Sequence, residues 1–485
     1  MTDRTRWIAL YVLCAGVLMI VLDVTVVNVA LPSIQNDLGF SQSGLAWVVN
    51  AYLIAFGGLL LLAGRFGDLL GRKRIFMYGL AAFTISSAVC GLSNSQGLLV
   101  GARFVQGIAG AMTSAVVLGM IVTMFPDPRE QAKAIGVYGF VASAGGSVGL
   151  LAGGILTQAI NWHWIFFVNV PIGIATGVLA HRLIKGDEGI GFKGGADIPG
   201  AVLITSALMV GVYTIVKPAA DDGWGSSKTL LIGALSLLLL AAFIAREATA
   251  RTPLIPLRIF RSRNVSGANL VEMLLVAGMF GMFFLGSLYF ERVLGYDALQ
   301  IGLAFLPATL VMGTLSLRFS EPIITRFGAR NALLPGLLLV GGGLALFARA
   351  PVDGNYWRDV LPTMIIIALG IGVSFPALLT LAMSGATQED AGLASGLVNT
   401  SAQVGGALGL AVLATVSATR TDHLKAAGDS IDSALTGGYH LAFLIGAALC
   451  LAAFVVGIVV IQSEKKAAAA AQAKAASTEP AYSES

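Results

Sequence analysis

The sequence predicts an all-α integral membrane protein, on three observations. Hydrophobic residues make up 56% of the 485 and charged residues only 12%, with a mean hydropathy of +0.83, against about 45–50% and 25% in soluble domains. Apolar runs long enough to cross a bilayer, which takes about 20 residues, recur from end to end. Lys and Arg concentrate on alternate connections between those runs, the pattern of a multi-pass protein with a positive inner side.

Fourteen runs qualify. The first, 7–31, is longer than the apolar core of a signal peptide, about 7–15 residues, and carries Asp23, so it is expected to remain as a span. The second and third, 45–63 and 75–93, flank a short connection rich in Gly and Arg, and the fourth, 98–120, carries Arg103. The fifth, 132–160, has regularly spaced glycines, and the sixth, 164–183, follows the aromatic stretch that begins at Trp162. The seventh and eighth, 198–216 and 230–245, contain no charge and lie between two polar linkers, 184–196 and 246–264, the second with five arginines. The last six are 265–290, which carries Glu272, then 301–319, 332–348, 360–381, the glycine-rich 392–418, and 439–461.

Setting the uncharged hairpin aside leaves six spans before it and six after it, as expected of two repeated halves. The expected units are a six-helix bundle over 1–190, an inserted hairpin with its linkers over 191–250, a second six-helix bundle over 251–463 and a disordered tail over 464–485. With the N-terminus inside, the inner segments hold 22 Lys and Arg and the outer ones 7, while Arg103 lies within a span, which accounts for all 30. Both termini are therefore expected in the cytoplasm.

Three charged groups sit where hydrocarbon is expected. Asp23 on a lipid-facing surface would cost roughly 3 kcal/mol on insertion scales, so such an acid normally faces a bundle interior or a water-filled cavity. It is either a proton carrier or a structural tie, hydrogen-bonded to Thr25, Asn28 or another helix. Arg103 lies about five residues, roughly 8 Å at the helical rise, inside the outer end of its span, and Asp23 is at a similar depth in its own. The two can therefore share one polar layer, unless Arg103 snorkels outward. Glu272 either faces a cavity, where it would attract a cationic substrate or bind a second proton, or holds two helices together. Asn28 and Gln106, with Glu272, are the expected lining of a substrate cavity.

Between the second and third spans runs Gly64-Arg65-Phe66-Gly67-Asp68-Leu69-Leu70-Gly71-Arg72-Lys73-Arg74. Its glycines permit unusual backbone angles, Asp68 can accept from a helix N-terminus, and the basic cluster suits anionic headgroups. A loop that merely sets topology would need the arginines but not this placement of Gly and Asp. The spacing resembles the signature loop of the major facilitator superfamily, with Gly64, Asp68, Gly71, Arg72 and Lys73 on the key positions of a gating loop. A weaker echo, Arg318 to Arg330, stands at the equivalent place in the second half.

The stretch Leu99-Val100-Gly101-Ala102-Arg103-Phe104-Val105-Gln106-Gly107 is similar to the superfamily's fourth-span motif, a resemblance that implicates Arg103 with Asp23 in proton transfer. Gly145, Gly149 and Gly153, with Gly146 and Gly154 beside them, give the fifth span a face on which another helix can come close. That spacing resembles the antiporter motif, except that Leu150 stands where the motif has proline. Gly392, Gly396, Gly405, Gly406 and Gly409 repeat the theme in the thirteenth span. The segment from Leu22 to Pro32, the stretch Trp162 to Gly173 and the central hairpin together resemble the fourteen-span drug:proton antiporters over 7–461.

The resemblance implies a major facilitator fold of two six-helix bundles plus an inserted hairpin. It further implies a monomer in the plasma membrane that exchanges protons for lipophilic or cationic drugs or antibiotics by alternating access. The alternative is a dedicated exporter of an endogenous metabolite, peptide or siderophore. No cofactor is expected: Cys14, Cys90 and Cys450 lie in apolar runs, the four histidines are scattered, and no phosphate-binding loop for a nucleotide occurs. A net charge of +4 gives no sign of a nucleic-acid surface. An enzyme would need a nucleophile with its base, and a receptor a signalling domain; neither is legible.

Overall fold

The computed structural model describes residues 3–186, 189, 191, 195–384 and 391–462. The tail expected to be disordered, 464–485, lies outside the described residues. The described chain is helical, in the order α1 (Asp3–Leu38), α2 (Gln42–Leu70), α3 (Arg72–Gly91), α4 (Gln96–Met124), α5 (Pro128–Ala159), α6 (Trp164–Phe167) and α7 (Asn169–Leu183). Next come α8 (Ile198–Val216), the short α9 (Pro218–Asp221) and α10 (Ser227–Thr249). The second half comprises α11 (Arg263–Arg292), α12 (Ala298–Thr314), α13 (Ser320–Phe327), α14 (Ala329–Phe347), α15 (Leu361–Ser384), α16 (Ala391–Ala426) and α17 (Ile431–Val459). Among the described residues 13 helical stretches are long and apolar enough to cross a membrane, and α5, at 32 residues, has the length of one more.

Two expected spans are interrupted, each beside a proline. The sixth breaks at Val168 into α6 and α7, because Pro171 has no N–H to offer the Phe167 carbonyl one turn back. The span expected over 301–319 passes through a π-helical turn, Leu315–Phe319, and runs on as α13. There Pro322 has no N–H for the Arg318 carbonyl, which favours the widened turn.

The packing repeats between the halves. α1 lies against α5 and α7, and α11 against α16 and α17; α3 packs on α4 and α7, as α14 does on α15 and α17. Across the seam α2 meets α16, α5 meets α12, and α1 touches α11. The hairpin is attached through α8, which leans on both α2 and α16, while α10 packs on α8 and leaves much of its apolar surface outward. Thr205 of α8 lies over Gly58 of α2, and Thr415 of α16 donates to the Ile215 carbonyl at 3.3 Å. The inserted pair therefore covers one side of the seam.

The spacing of the α5 glycines becomes a packing surface. Gly145, Gly149 and Gly153 lie against Leu18, Val21, Thr25 and Val26 of α1, where a β-carbon on Gly149 would overlap the Thr25 hydroxyl. Gly154 turns the other way, to the Ala298 and Leu299 backbone of α12. The Leu150 carbonyl faces Gly302 of α12, and the helix continues through Leu150. In the second half Gly405 and Gly409 meet Met273 and Ala277 of α11, Gly406 lies between Phe280 of α11 and Leu53 of α2, and Gly396 turns to Leu61 of α2.

Candidate functional site

Asp23 has no exposed surface, so every interaction it makes is with the protein. Neither neighbour expected on its own helix is a partner. The Thr25 hydroxyl donates to the Val21 carbonyl at 2.9 Å, and the Asn28 amide to the Val24 carbonyl at 3.1 Å. The partners come from α4 and α7. Arg103 Nη1 pairs with Asp23 Oδ2, while Gln106 Nε2, at 2.7 Å, and Asn169 Nδ2, at 3.2 Å, donate to Oδ1.

Arg103 is itself 1% exposed. Its Nε donates to the Val48 carbonyl of α2 at 2.9 Å and its Nη1 to Gln106 Oε1 at 2.7 Å. The guanidinium carbon stands 4.5 Å from the centre of the Tyr52 ring and 5.8 Å from that of Phe166, so the cation is also held by aromatic faces. Ser87 of α3 accepts from Gln106 at 2.7 Å and from Asn169 at 3.3 Å. Five helices of the first half thus contribute to one buried network. Such a pair is tolerated away from water only when its remaining lone pairs and N–H groups are satisfied, which is what Gln106, Asn169 and Val48 do. One acceptor is left over, Asn169 Oδ1, which is buried without a partner.

The signature connection is mostly helix. α2 runs through Leu70, so Gly64, Gly67 and Asp68 have helical backbone, and only Gly71, at φ +98°, makes the turn. Gly328, at φ +84°, makes the same turn between α13 and α14. Gly64 lies over Ala115 of α4, and Gly67 over Val116. Asp68 takes Arg72 Nη2 at 3.1 Å, one turn on, instead of a helix N-terminus. Arg72 also reaches the Gly119 carbonyl at 3.0 Å, and Lys73 Nζ the His181 carbonyl near the end of α7 at 2.9 Å. Arg330 repeats the last contact in the second half, on the Ile458 carbonyl of α17 at 2.8 Å. A cation at a helix C-terminus is favoured by the helix dipole.

A cavity of about 670 Å³ lies between the halves on the side of the connection between α2 and α3, lined among others by Leu61, Gly64, Asp68, Tyr138, Asp197 and Asn399. Towards the opposite side the halves are in contact. Asn36 bonds Glu291 and Arg292, both at 3.3 Å, Gln42 bonds Ser417 at 3.1 Å, and Gly154 meets Ala298. The structure does not bring Asn28, Gln106 and Glu272 together on this cavity. Gln106 belongs to the Asp23 network, Asn28 is nearly buried on α1, and Glu272 is 1% exposed with Oε2 unpartnered. Ser87 and Asn169 were not singled out from the sequence, although small polar residues inside apolar helices are a signal of such a tie.

A two-repeat helical bundle with a charged network inside one half and a cavity between the halves defines a membrane transporter. The chain belongs to the Major Facilitator Superfamily, whose family model matches residues 13–410. It is 37% identical over 473 residues to a puromycin resistance protein of Streptomyces alboniger, covering 96% of this chain and 93% of that one. It is 38% identical to a cephamycin export protein of Amycolatopsis lactamdurans, with 86% of each covered, and 34% identical to a tetracenomycin C resistance and export protein of Streptomyces glaucescens, with 85% and 76% covered. Among solved structures, a bacterial homologue of the lysosomal transporter Spinster, in an inward-facing and unoccupied conformation, matches at TM-score 0.68 and 16% identity, covering 95% of this chain and 98% of that one. The fold is the major facilitator fold with an inserted hairpin, in a multi-pass membrane protein of a family of transporters.

Proposed function

We propose that the chain is a proton-coupled exporter of lipophilic or cationic antibiotics or drugs that works by alternating access. The observation that carries this reading is the fully buried Asp23–Arg103 pair, tied to three further helices through Gln106, Asn169, Ser87 and Val48. Its context is a set of relatives named for antibiotic resistance and export. Asp23 would take the proton. Protonation removes the charge that Arg103 neutralises, so it frees the guanidinium to lean on Gln106 and the Val48 carbonyl and weakens the hold between α1 and α4. A bistable contact of this kind is what a ligand needs in order to shift a conformational equilibrium.

Substrate would enter the cavity between the halves. The bias of basic residues supports a cytoplasmic position for the termini and for the connection between α2 and α3, and so a cavity on the cytoplasmic side with the outer side closed. The α5 and α16 glycine faces would carry the rocking of each half on α1 and α11, with Gly71 and Asp68–Arg72 latching the cytoplasmic ends. Asn28 and Glu272 would be reached by substrate when the halves part, with Glu272 favouring cations. The protein would work as a monomer in the plasma membrane. The names of the relatives each specify one antibiotic, which favours a narrow substrate range as the second reading.

The test is uptake into inside-out vesicles with an imposed pH gradient, using ethidium and a panel of antibiotics that includes puromycin. Accumulation that collapses when the gradient is dissipated is expected. Accumulation that survives without the gradient, or depends on added nucleotide, would refute proton coupling.

A further inference from the structure

The inserted hairpin has no counterpart in either half, yet its base reaches the cavity between them. Among the described residues, the second half contributes to the cavity wall only through α16. The hairpin base contributes Asp197, the N-cap of α8, and Thr252, Pro253 and Leu254 of the linker that follows α10. What the first half does not supply of this wall is therefore shared between α16 and the hairpin base.

The linker is held firmly from several sides. Glu247, buried in the last turn of α10, accepts from Ile255 N at 2.8 Å and also from Leu254 N. Leu254 packs among Leu62 of α2, Ala201 of α8 and Phe243 of α10. A β-carbon on Gly195, which sits at φ +68°, would stand 3.0 Å from the Thr252 hydroxyl oxygen, and the Gly195 carbonyl accepts from Arg65 Nε at 3.0 Å. Pro253 fixes its own φ and restrains Thr252 before it. Thr252 is nevertheless exposed and Pro253 half-buried. A connection that is fixed at its ends and open at one face is the usual place for a binding residue. The charged groups of the same wall are engaged with the protein: Asp68 with Arg72, Asp197 with Arg246, and Arg65 with Gly195. What the linker offers a ligand is therefore an apolar surface with one hydroxyl beside it.

We propose that Thr252, Pro253 and Leu254 form a subsite for the apolar body of the substrate, with the Thr252 hydroxyl bonding a polar substituent next to it, so that the hairpin base takes part in choosing what is carried. Asp68 and Arg72, beside the Gly71 turn, line the same cavity, which puts the subsite at its mouth. The network of Asp23 and Arg103 lies elsewhere, on five helices of the first half, so selection at the linker is physically separate from the charged pair. The inference deepens the exporter reading and rests on it for the nature of the ligand.

The experiment places a cysteine at the subsite, Thr252→Cys, and another outside it, Thr249→Cys, an exposed position on α10 that does not line the cavity. Cys14, Cys90 and Cys450 are buried, so maleimide labelling of the purified full chain in lipid reports the introduced thiol, with wild type as the blank. A ligand that covers the thiol when bound slows its reaction by the factor 1 + [L]/Kd, about tenfold at ten times Kd. Ethidium or puromycin, with Kd measured by quenching of tryptophan fluorescence, should slow Thr252→Cys by that factor and leave Thr249→Cys unchanged. Equal slowing at both positions, or none at Thr252→Cys with either probe, overturns the proposal. Contact is distinguished from mere closure of the mouth by Thr252→Trp, which should change the ratio of the puromycin and ethidium KM values for vesicle uptake while kcat holds, the mark of altered binding; an unchanged ratio also overturns it. Labelling needs no gradient, so the two readings fail separately. Protection without gradient-driven uptake supports the subsite and refutes proton coupling, whereas gradient-driven uptake without protection refutes the subsite alone.

Discussion

Replacing Arg103 by Met tests the buried pair through its energetics. The variant leaves Asp23, with no exposed surface, only the Gln106 and Asn169 amides. Removing one partner of a buried ion pair costs about 3–5 kcal/mol. Asp23→Asn leaves Arg103 with the Val48 carbonyl, Gln106 and two aromatic faces, so its cost should be lower, about 1.5–3 kcal/mol, as for a charged hydrogen bond. The double variant buries no charge. It should therefore be more stable than the sum of the single effects predicts, by about 2–3 kcal/mol, near the upper end for residues in contact. Unfolding by SDS in mixed micelles, followed by tryptophan fluorescence for all four proteins, measures this coupling. Effects that add within about 0.5 kcal/mol, as for distant sites, would refute the pairing.

Further outcomes follow from the packing and the turns. Gly149→Val should cost about 1–3 kcal/mol through overpacking on Thr25 and should stop transport while the protein still inserts, whereas Gly101→Ala, with open space around it, should change neither stability nor uptake. Gly71→Ala forces a side chain into φ +98°, ψ 130° and should cost about 1–3 kcal/mol in the same unfolding assay. Asp68→Asn removes a half-exposed pair, so stability should move by less than about 1 kcal/mol while the rate of vesicle uptake falls; unchanged uptake would remove the latch. Glu272→Gln should weaken cationic substrates selectively in uptake competition, and an equal loss for neutral ones would contradict its proposed role.

Much of this architecture was legible because a bilayer constrains sequence strongly. Length and basic connections give the spans, and an uncharged hairpin between two polar linkers, the second with five arginines, separates the two halves along the sequence. The shared layer of Asp23 and Arg103 follows from equal depth along antiparallel helices, and the α5 face from glycines four apart. Which helix each face meets is not legible, because lipid and protein surfaces are equally apolar. That hid Asn169, which the sixth span places beside Asp23, and it leaves the direction of Glu272 unreadable from spacing. The expected bends at Gly64 and Gly67 fail for a related reason: glycine permits a turn but also permits a neighbour, here Ala115 and Val116 of α4.

The central claim is that Asp23 couples protons to substrate. The most direct measurement compares wild type with Asp23→Asn in inside-out vesicles, reading both pH-driven accumulation of a labelled substrate and its gradient-free exchange across the membrane. The account predicts that the variant inserts normally and still exchanges substrate but no longer accumulates it. Undiminished pH-driven accumulation by Asp23→Asn would contradict it.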